Sequence, residues 1–162
     1  MKHLLLAVGL SLASVAAAHA AGTANSFITP QTPNRGIQSF VQGTDVAGTY
    51  KTVYTGGANG SVCNALWATN NDGSATHLIT VQVVSGGNKF GGMAITSVLS
   101  AGFANATPPQ SLMSTANWPG LPVDQNGNPN LFLANGDTLQ ATYATALTST
   151  DQINLEAMCW DY

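Results

Sequence analysis

The chain has 162 residues, about the length of one domain. Only 7% of its residues are charged, against roughly 25% in an average soluble protein, while its hydrophobic fraction of 44% is ordinary, which excludes a disordered, highly charged tail. Four Lys plus Arg and a net charge of −3 exclude an electrostatic nucleic-acid binder, which needs several cations to displace counterions from phosphates.

The first residues, Met1-Lys2-His3, are a short basic start. Residues 4–18 are apolar apart from Gly9, Ser11 and Ser14, and Ala18-His19-Ala20 follows. A positive start, an apolar core and an A-x-A site describe a secretory signal peptide over residues 1–20, cleaved after Ala20. The rival, a retained membrane anchor, needs roughly 20 apolar residues and this run is shorter. No second long apolar run follows, so no membrane partner is expected after cleavage. The protein is therefore expected to be exported, to the periplasm or beyond.

Residues 21–43 carry Pro30, Pro33, Asn34 and Gly36 and show no period. They read as an extended arm, able to lie on a neighbour. A single domain over 44–162 follows, with strand signals throughout. Residues 48–55 (GTYKTVYT) are β-branched and aromatic and stop at a glycine-rich turn, 56–60. Residues 61–69 are the next run. On simple alternation Cys63, Ala65 and Trp67 share one face of it, and Val62, Asn64, Leu66 and Ala68 the other. The Asp72-Gly73 step then reads as a hairpin turn into 76–84 (THLITVQVV). Gly86-Gly87-Asn88 is a further turn, and 89–99 a weaker strand that Gly91-Gly92 breaks, as a bulge would.

Residues 100–130 are rich in Pro, Asn and Gly, with room for one short helical turn over 110–116. Residues 131–134, 138–148 and 152–160 complete the pattern. In the last of these Ile153, Leu155, Ala157 and Cys159 alternate with Asn154, Glu156, Met158 and Trp160, which points the first set inward. Short, evenly spaced strands without an amphipathic helix predict an all-β fold, an antiparallel, jelly-roll-like β-sandwich.

Cys63 and Cys159 are the only cysteines. An even count in an exported chain favours a disulfide between them, worth up to about 4–5 kcal/mol across so long a loop. The alternative is two buried free thiols on separate strands. Strand patterns alone do not say whether the sulfurs come within bonding distance.

Beyond residue 20 the chain has one histidine, His77, on the face of Ile79, Val81 and Val83. A lone histidine among apolar strand positions is a hydrogen-bonded core residue before it is a base. No nucleophile elbow, zinc spacing or phosphate loop is present, so no enzyme activity and no cofactor are expected. Asp124, Asn126, Asn128 and Asn130 stand at alternate positions as in a calcium loop. Pro129 at the sixth position and Asn135 at the twelfth depart from that loop, so the stretch reads as Asx turns and no metal is expected. Trp118 in its Pro-flanked loop, with Trp160 and Tyr162 at the C-terminus, are the candidate partner contacts. They could stack on a glycan, anchor a protein, or simply cover the sandwich ends. Lys51 and Lys89 alone can guard strand edges, and such a charge-poor surface suits a homo-oligomer.

Four stretches carry a resemblance: Ile28-Thr29-Pro30-Gln31-Thr32-Pro33-Asn34-Arg35, Tyr54-Thr55-Gly56-Gly57-Ala58-Asn59-Gly60-Ser61, residues 131–139 (LFLANGDTL) and the closing Asp161-Tyr162. In their shared order they resemble a family of small virion proteins of tailed bacteriophages and prophages. The resemblance implies a structural β-sandwich, a capsid-decorating or tail-associated subunit that is often oligomeric. Its partners would be capsid, tail or surface-assembly proteins, and it supplies no catalytic residues. The signal peptide, the two cysteines and Trp160 depart from the family's pattern. Two functions are therefore carried forward: a non-enzymatic subunit of a virion-like or extracellular assembly, and an exported binding module for a glycan or surface polymer.

Overall fold

The computed structural model describes residues 32–72, 75–90, 95–99, 109–148 and 152–162. Its strands are β1 (Thr32–Val41), β2 (Lys51–Thr55), β3 (Ser61–Asn70), β4 (His77–Ser85), β5 (Asn88–Lys89), β6 (Ile95–Leu99), β7 (Gln110–Ser111), β8 (Leu131–Leu133), β9 (Thr138–Tyr143) and β10 (Gln152–Asp161). No helix occurs among the described residues. The proposed signal peptide, residues 21–31 and Gly91-Gly92 lie outside them.

Two five-stranded antiparallel sheets face each other. Sheet A runs β1-β10-β3, with β8 and β7 end to end along β3; sheet B runs β2-β9-β4, with β6 and β5 end to end along β4. The pairs β1·β10, β2·β9, β3·β8 and β4·β5 nest inside one another and alternate between the sheets. That is one long hairpin rolled up, the jelly-roll form of the β-sandwich. The core lies between the sheets. Leu66, Ile153 and Leu155 enter it from sheet A, and Ile79, Val81 and Leu139 from sheet B, all at most 1% exposed.

Local chemistry explains several elements. In β10 every second residue from Ile153 to Cys159 is buried, as period two demands. Ser85 pairs with Asn88 around Gly86 and Gly87, whose φ values of 54° and 80° meet the positive-φ requirement of a two-residue type I′ turn. Gly36 faces inward where β1 crosses β2, and a Cβ there would stand 2.1 Å from the Val53 carbonyl oxygen. Only glycine permits that backbone approach.

The structure corrects four expectations. Thr32–Val41 is not an arm but strand β1, paired along its whole length with β10. Its one proline, Pro33, is tolerated because β1 is an edge strand and not a central one. No hairpin joins β3 and β4 at Asp72-Gly73, because the two strands belong to different sheets and their connection passes from one to the other; Gly73 itself lies outside the described residues. The face assignment in β3 also changes. Met158 opposes Ala65 while Cys159 opposes Cys63, so Asn64 is the extra residue of a β-bulge. That one-residue slip puts Cys63 on the core face with Leu66 and Ala68, and turns Trp67 to solvent at 38% exposure. Finally, 110–116 holds the short strand β7 and the start of a turn, with Leu112 N–H donating to the Leu66 carbonyl at 2.8 Å.

Three polar assemblies hold the ends. Lys51 Nζ donates to Asp45 Oδ1 at 2.9 Å and to the Ser39 carbonyl at 2.8 Å, tying the β1–β2 corner to both strands. Asp72 and His77, both fully buried, pair at 2.8 Å through His77 Nε2, while His77 Nδ1 meets the Thr145 carbonyl at 3.1 Å. Asp72 also accepts from Thr148 N, Thr148 Oγ1 and Ala75 N, so its carboxylate joins the crossing segment to the loop after β9.

The third centres on Asp161 at the end of β10. Its Oδ1 accepts from Tyr54 Oη and Ser61 Oγ, each at 2.5 Å, and Oδ2 accepts from Asn34 Nδ2 at 3.0 Å. Burial pushes the Asp161 carboxyl up, but these donors outweigh it and hold it below the usual carboxylate range. Asp45 is lowered in the same way, with burial overcome by Lys51 and the Val41 N–H. A lowered folded-state pKa means the unfolded chain binds the proton more tightly. The stabilisation is thus complete above the unfolded carboxylate pKa of about 4 and is lost as pH falls through the lower folded value. The urea midpoint should therefore fall steeply between pH 5 and pH 2.5, and Asp161→Asn should shrink that fall. An identical pH profile for the variant would mean that Asp161 carries none of it.

Candidate functional site

The outer face of sheet A is where unpaired apolar side chains gather. Across one level of the sheet Trp160 of β10 lies beside Val62 of β3, which lies beside Phe132 of β8. Across another, Ile37 of β1 faces Glu156 of β10, which faces Trp67 of β3. Ile37 is 65% exposed, Phe132 58% and Trp160 36%. The charges on this face are neutralised locally, since Arg35 Nε donates to Glu156 Oε1 at 2.8 Å within an ion pair.

A groove of about 510 Å³ runs along β3 and β10 between Trp67 and Trp160. Ala65 and Met158 line it from neighbouring strands. Asn64, Asp124, Asn128 and Asn130 supply its polar groups. Asn64 reaches solvent because the bulge makes it the extra residue, the usual way a strand re-aims one side chain. The loop before β8 supplies the others. In it Asp124 Oδ1 accepts from Asn126 N and Asn128 N at 2.8 and 2.9 Å, and Oδ2 from Asn128 Nδ2 at 3.0 Å. These bonds, that from the Asn128 side chain foremost, hold the Asp124 carboxyl below its usual range. They also commit both carboxylate oxygens to the loop itself, which is the Asx-turn role expected from the sequence.

A smaller groove of about 170 Å³ lies on the other side of Trp67, bounded by Ile37, Thr69, Asn154 and Glu156. His77 and Asp72 border neither groove. Among the described residues no group of three or more His, Cys, Asp or Glu is placed to hold a metal ion.

The candidate residues separate as follows. Cys63 and Cys159 sit directly opposite each other on β3 and β10, bonded, with Cα atoms 3.9 Å apart and both side chains buried. Trp160 borders the large groove. Trp118 does not reach the surface: at 1% exposure it packs in the core with Leu112, Met113 and Leu121, so it is no partner contact. Its loop folds back on itself, with Trp118 N–H donating to the Ser114 carbonyl at 2.8 Å. Tyr162 is half-buried on the 57–60 turn, its N–H donating to the Gly60 carbonyl at 3.1 Å and its carbonyl accepting from Asn59 Nδ2 at 3.2 Å. Trp67 was missed because alternation read from Cys63 assigned it the disulfide's face. Only the partner strand reveals the bulge.

No family model and no curated protein matches the chain. Among solved structures it is similar to the cyanophage Pam1 capsid asymmetric unit, at 15% identity over 81% of this chain and 84% of that chain, with a TM-score of 0.37. A likeness of that grade carries no argument about function.

Proposed function

We propose that this protein is a non-enzymatic structural subunit of a virion-like or extracellular assembly, and that it joins copies of itself through strand β1. The observation that carries the reading is the character of that edge. Strand β1 is a ten-residue edge of sheet A with Ile37 projecting from it at 65% exposure. Proteins that work alone blunt such edges with lysine, proline or short strands, because an open edge templates pairing with another chain. Its one proline, Pro33, stands at the far end, Lys51 and Asp45 cap only the Ser39 carbonyl and the Val41 N–H at the other, and its arginine is paired with Glu156, so the middle of the strand around Ile37 carries no such device.

Other observations support the same reading. The buried Cys63–Cys159 bond fits an oxidising, exported setting, where disulfides form and persist. The pair Asp72–His77 is enclosed and tied to loop backbone, so it serves as a brace and offers no substrate access. The resemblance to phage virion proteins supplies the class of assembly, either capsid-decorating or tail-associated.

Gel filtration with light scattering tests the reading. The chain from Ala21 onward should form a discrete oligomer, and Ile37→Lys should shift it to monomer with at least a tenfold rise in dissociation constant, about 1.4 kcal/mol. A chain that stays monomeric at millimolar concentration, or an oligomer indifferent to Ile37→Lys, would remove the β1 edge as the joint.

A further inference from the structure

The groove between Trp67 and Trp160 stands apart from the β1 edge and calls for its own ligand. We infer that it is a binding site for a neutral polysaccharide, held by stacking on the two indoles and by hydrogen bonds to Asn64 and Asn130.

Shape comes first. Trp67 opposes Glu156 in the register, and Trp160 lies four residues further along β10. At about 3.3 Å per residue their backbone positions are roughly 13 Å apart along the strands, with Ala65 and Met158 lining the groove between them. An open trough with an aromatic at each end and a low apolar middle suits a linear chain of rings better than a single compact molecule. Its volume of about 510 Å³ falls within the usual range for small-ligand sites, roughly 300–1,000 Å³.

Chemistry narrows the class. A pyranose ring has an apolar face of axial C–H bonds and a rim of hydroxyls. The face packs on an indole, which carries large contact area at little entropic cost. The rim needs donors and acceptors in fixed places. An amide offers both, and the side-chain amides of Asn64 and Asn130 make no hydrogen bond within the described residues. Asn64 is placed there by a bulge that otherwise weakens a central strand, a local cost that a binding role accounts for.

Charge removes the competing ligands. The groove is lined by one carboxylate, Asp124, and by no lysine or arginine. An acidic polysaccharide or a nucleic acid would meet repulsion with no cation to offset it. A second copy of the chain, which the β1 edge attracts, remains as the rival occupant and must be told apart by experiment.

The test is affinity electrophoresis and calorimetry on the chain from Ala21 onward, with dextran, galactomannan and xylan as neutral probes and polygalacturonate as the acidic one. At least one neutral polymer should retard the protein while polygalacturonate does not. Trp160→Ala and Trp67→Ala should each weaken binding by about tenfold or more, as expected for aromatic anchors. Trp160→Phe should recover part of the loss, and Asn64→Ala should weaken binding severalfold without moving the thermal midpoint. Ile37→Lys, away from the groove, should leave sugar binding unchanged whatever it does to oligomerisation. Failure of every neutral polymer to bind, preference for polygalacturonate, or binding indifferent to both tryptophans would overturn the inference. So would dissociation of the oligomer by Trp160→Ala, because the groove would then be occupied by another copy. The sugar-binding outcomes do not bear on the β1 joint, which Ile37→Lys tests separately; dissociation by Trp160→Ala alone would move the joint from β1 to the groove.

Discussion

Replacing Cys63 and Cys159 together by alanine is expected to lower the free energy of unfolding by about 4–5 kcal/mol. The two residues are 96 positions apart, so the bond removes a large share of the unfolded chain's freedom. For a domain of this size the loss corresponds to a fall in thermal midpoint of roughly 10–20 °C. Both side chains lie in the core, so the oxidised native protein should also resist reduction until it opens. Calorimetry of the double variant, and of wild type unfolded with and without reductant, reads the effect directly. A fall of less than about 1 kcal/mol would show that the unfolded chain gains little freedom when the bond is absent. The bond also fixes β3 against β10 immediately beside the bulge that exposes Asn64. The variant should therefore bind neutral polymers more weakly than wild type at temperatures where both remain folded.

Asp72→Ala is expected to cost about 2–4 kcal/mol, from the buried His77 nitrogen left unpaired and the lost bonds to Thr148 and Ala75. The carboxylate accepts from the His77 ring, the Thr148 backbone and hydroxyl, and the Ala75 N–H. Truncation leaves the fully buried His77 Nε2 without its partner, and a buried unpaired group costs about 1–3 kcal/mol, whereas the Thr148 and Ala75 donors lie in residues that reach solvent. It also unlinks the crossing segment between the sheets from the loop after β9. Asp72→Asn keeps the volume but presents an amide donor where an acceptor was needed, so it should recover little. Urea unfolding should show the midpoint falling with an unchanged slope. A loss below about 1 kcal/mol for Asp72→Ala would mean that this end of the sandwich is open to water and that the pair is not the brace described here.

Much of this molecule is readable along the chain. The alternation of β10, the paired glycines between Ser85 and Asn88, the succession of short strands and the enclosed single histidine all follow from neighbours in sequence. Each depends on a preference of only a few residues: the pleat, a positive φ, or the spacing of apolar positions. The same is true of the Asp124 loop, whose Asx turns are satisfied within five residues.

What local preference leaves open is which segments meet. The proline-bearing stretch at Thr32–Val41 has no period of its own, and becomes a strand because β10, over a hundred residues away, offers it a ladder. Asp72-Gly73 has hairpin chemistry, yet the strands it joins find better partners in opposite sheets. Trp118 sits among loop residues and is buried because that loop folds over the core, while Trp67 sits in a strand and is exposed because of one unpaired residue, Asn64. A bulge exists only relative to a partner strand, and a one-residue shift reverses every side chain beyond it. Composition and turn chemistry thus settled the class of fold from sequence, and long-range pairing decided which tryptophans face the solvent.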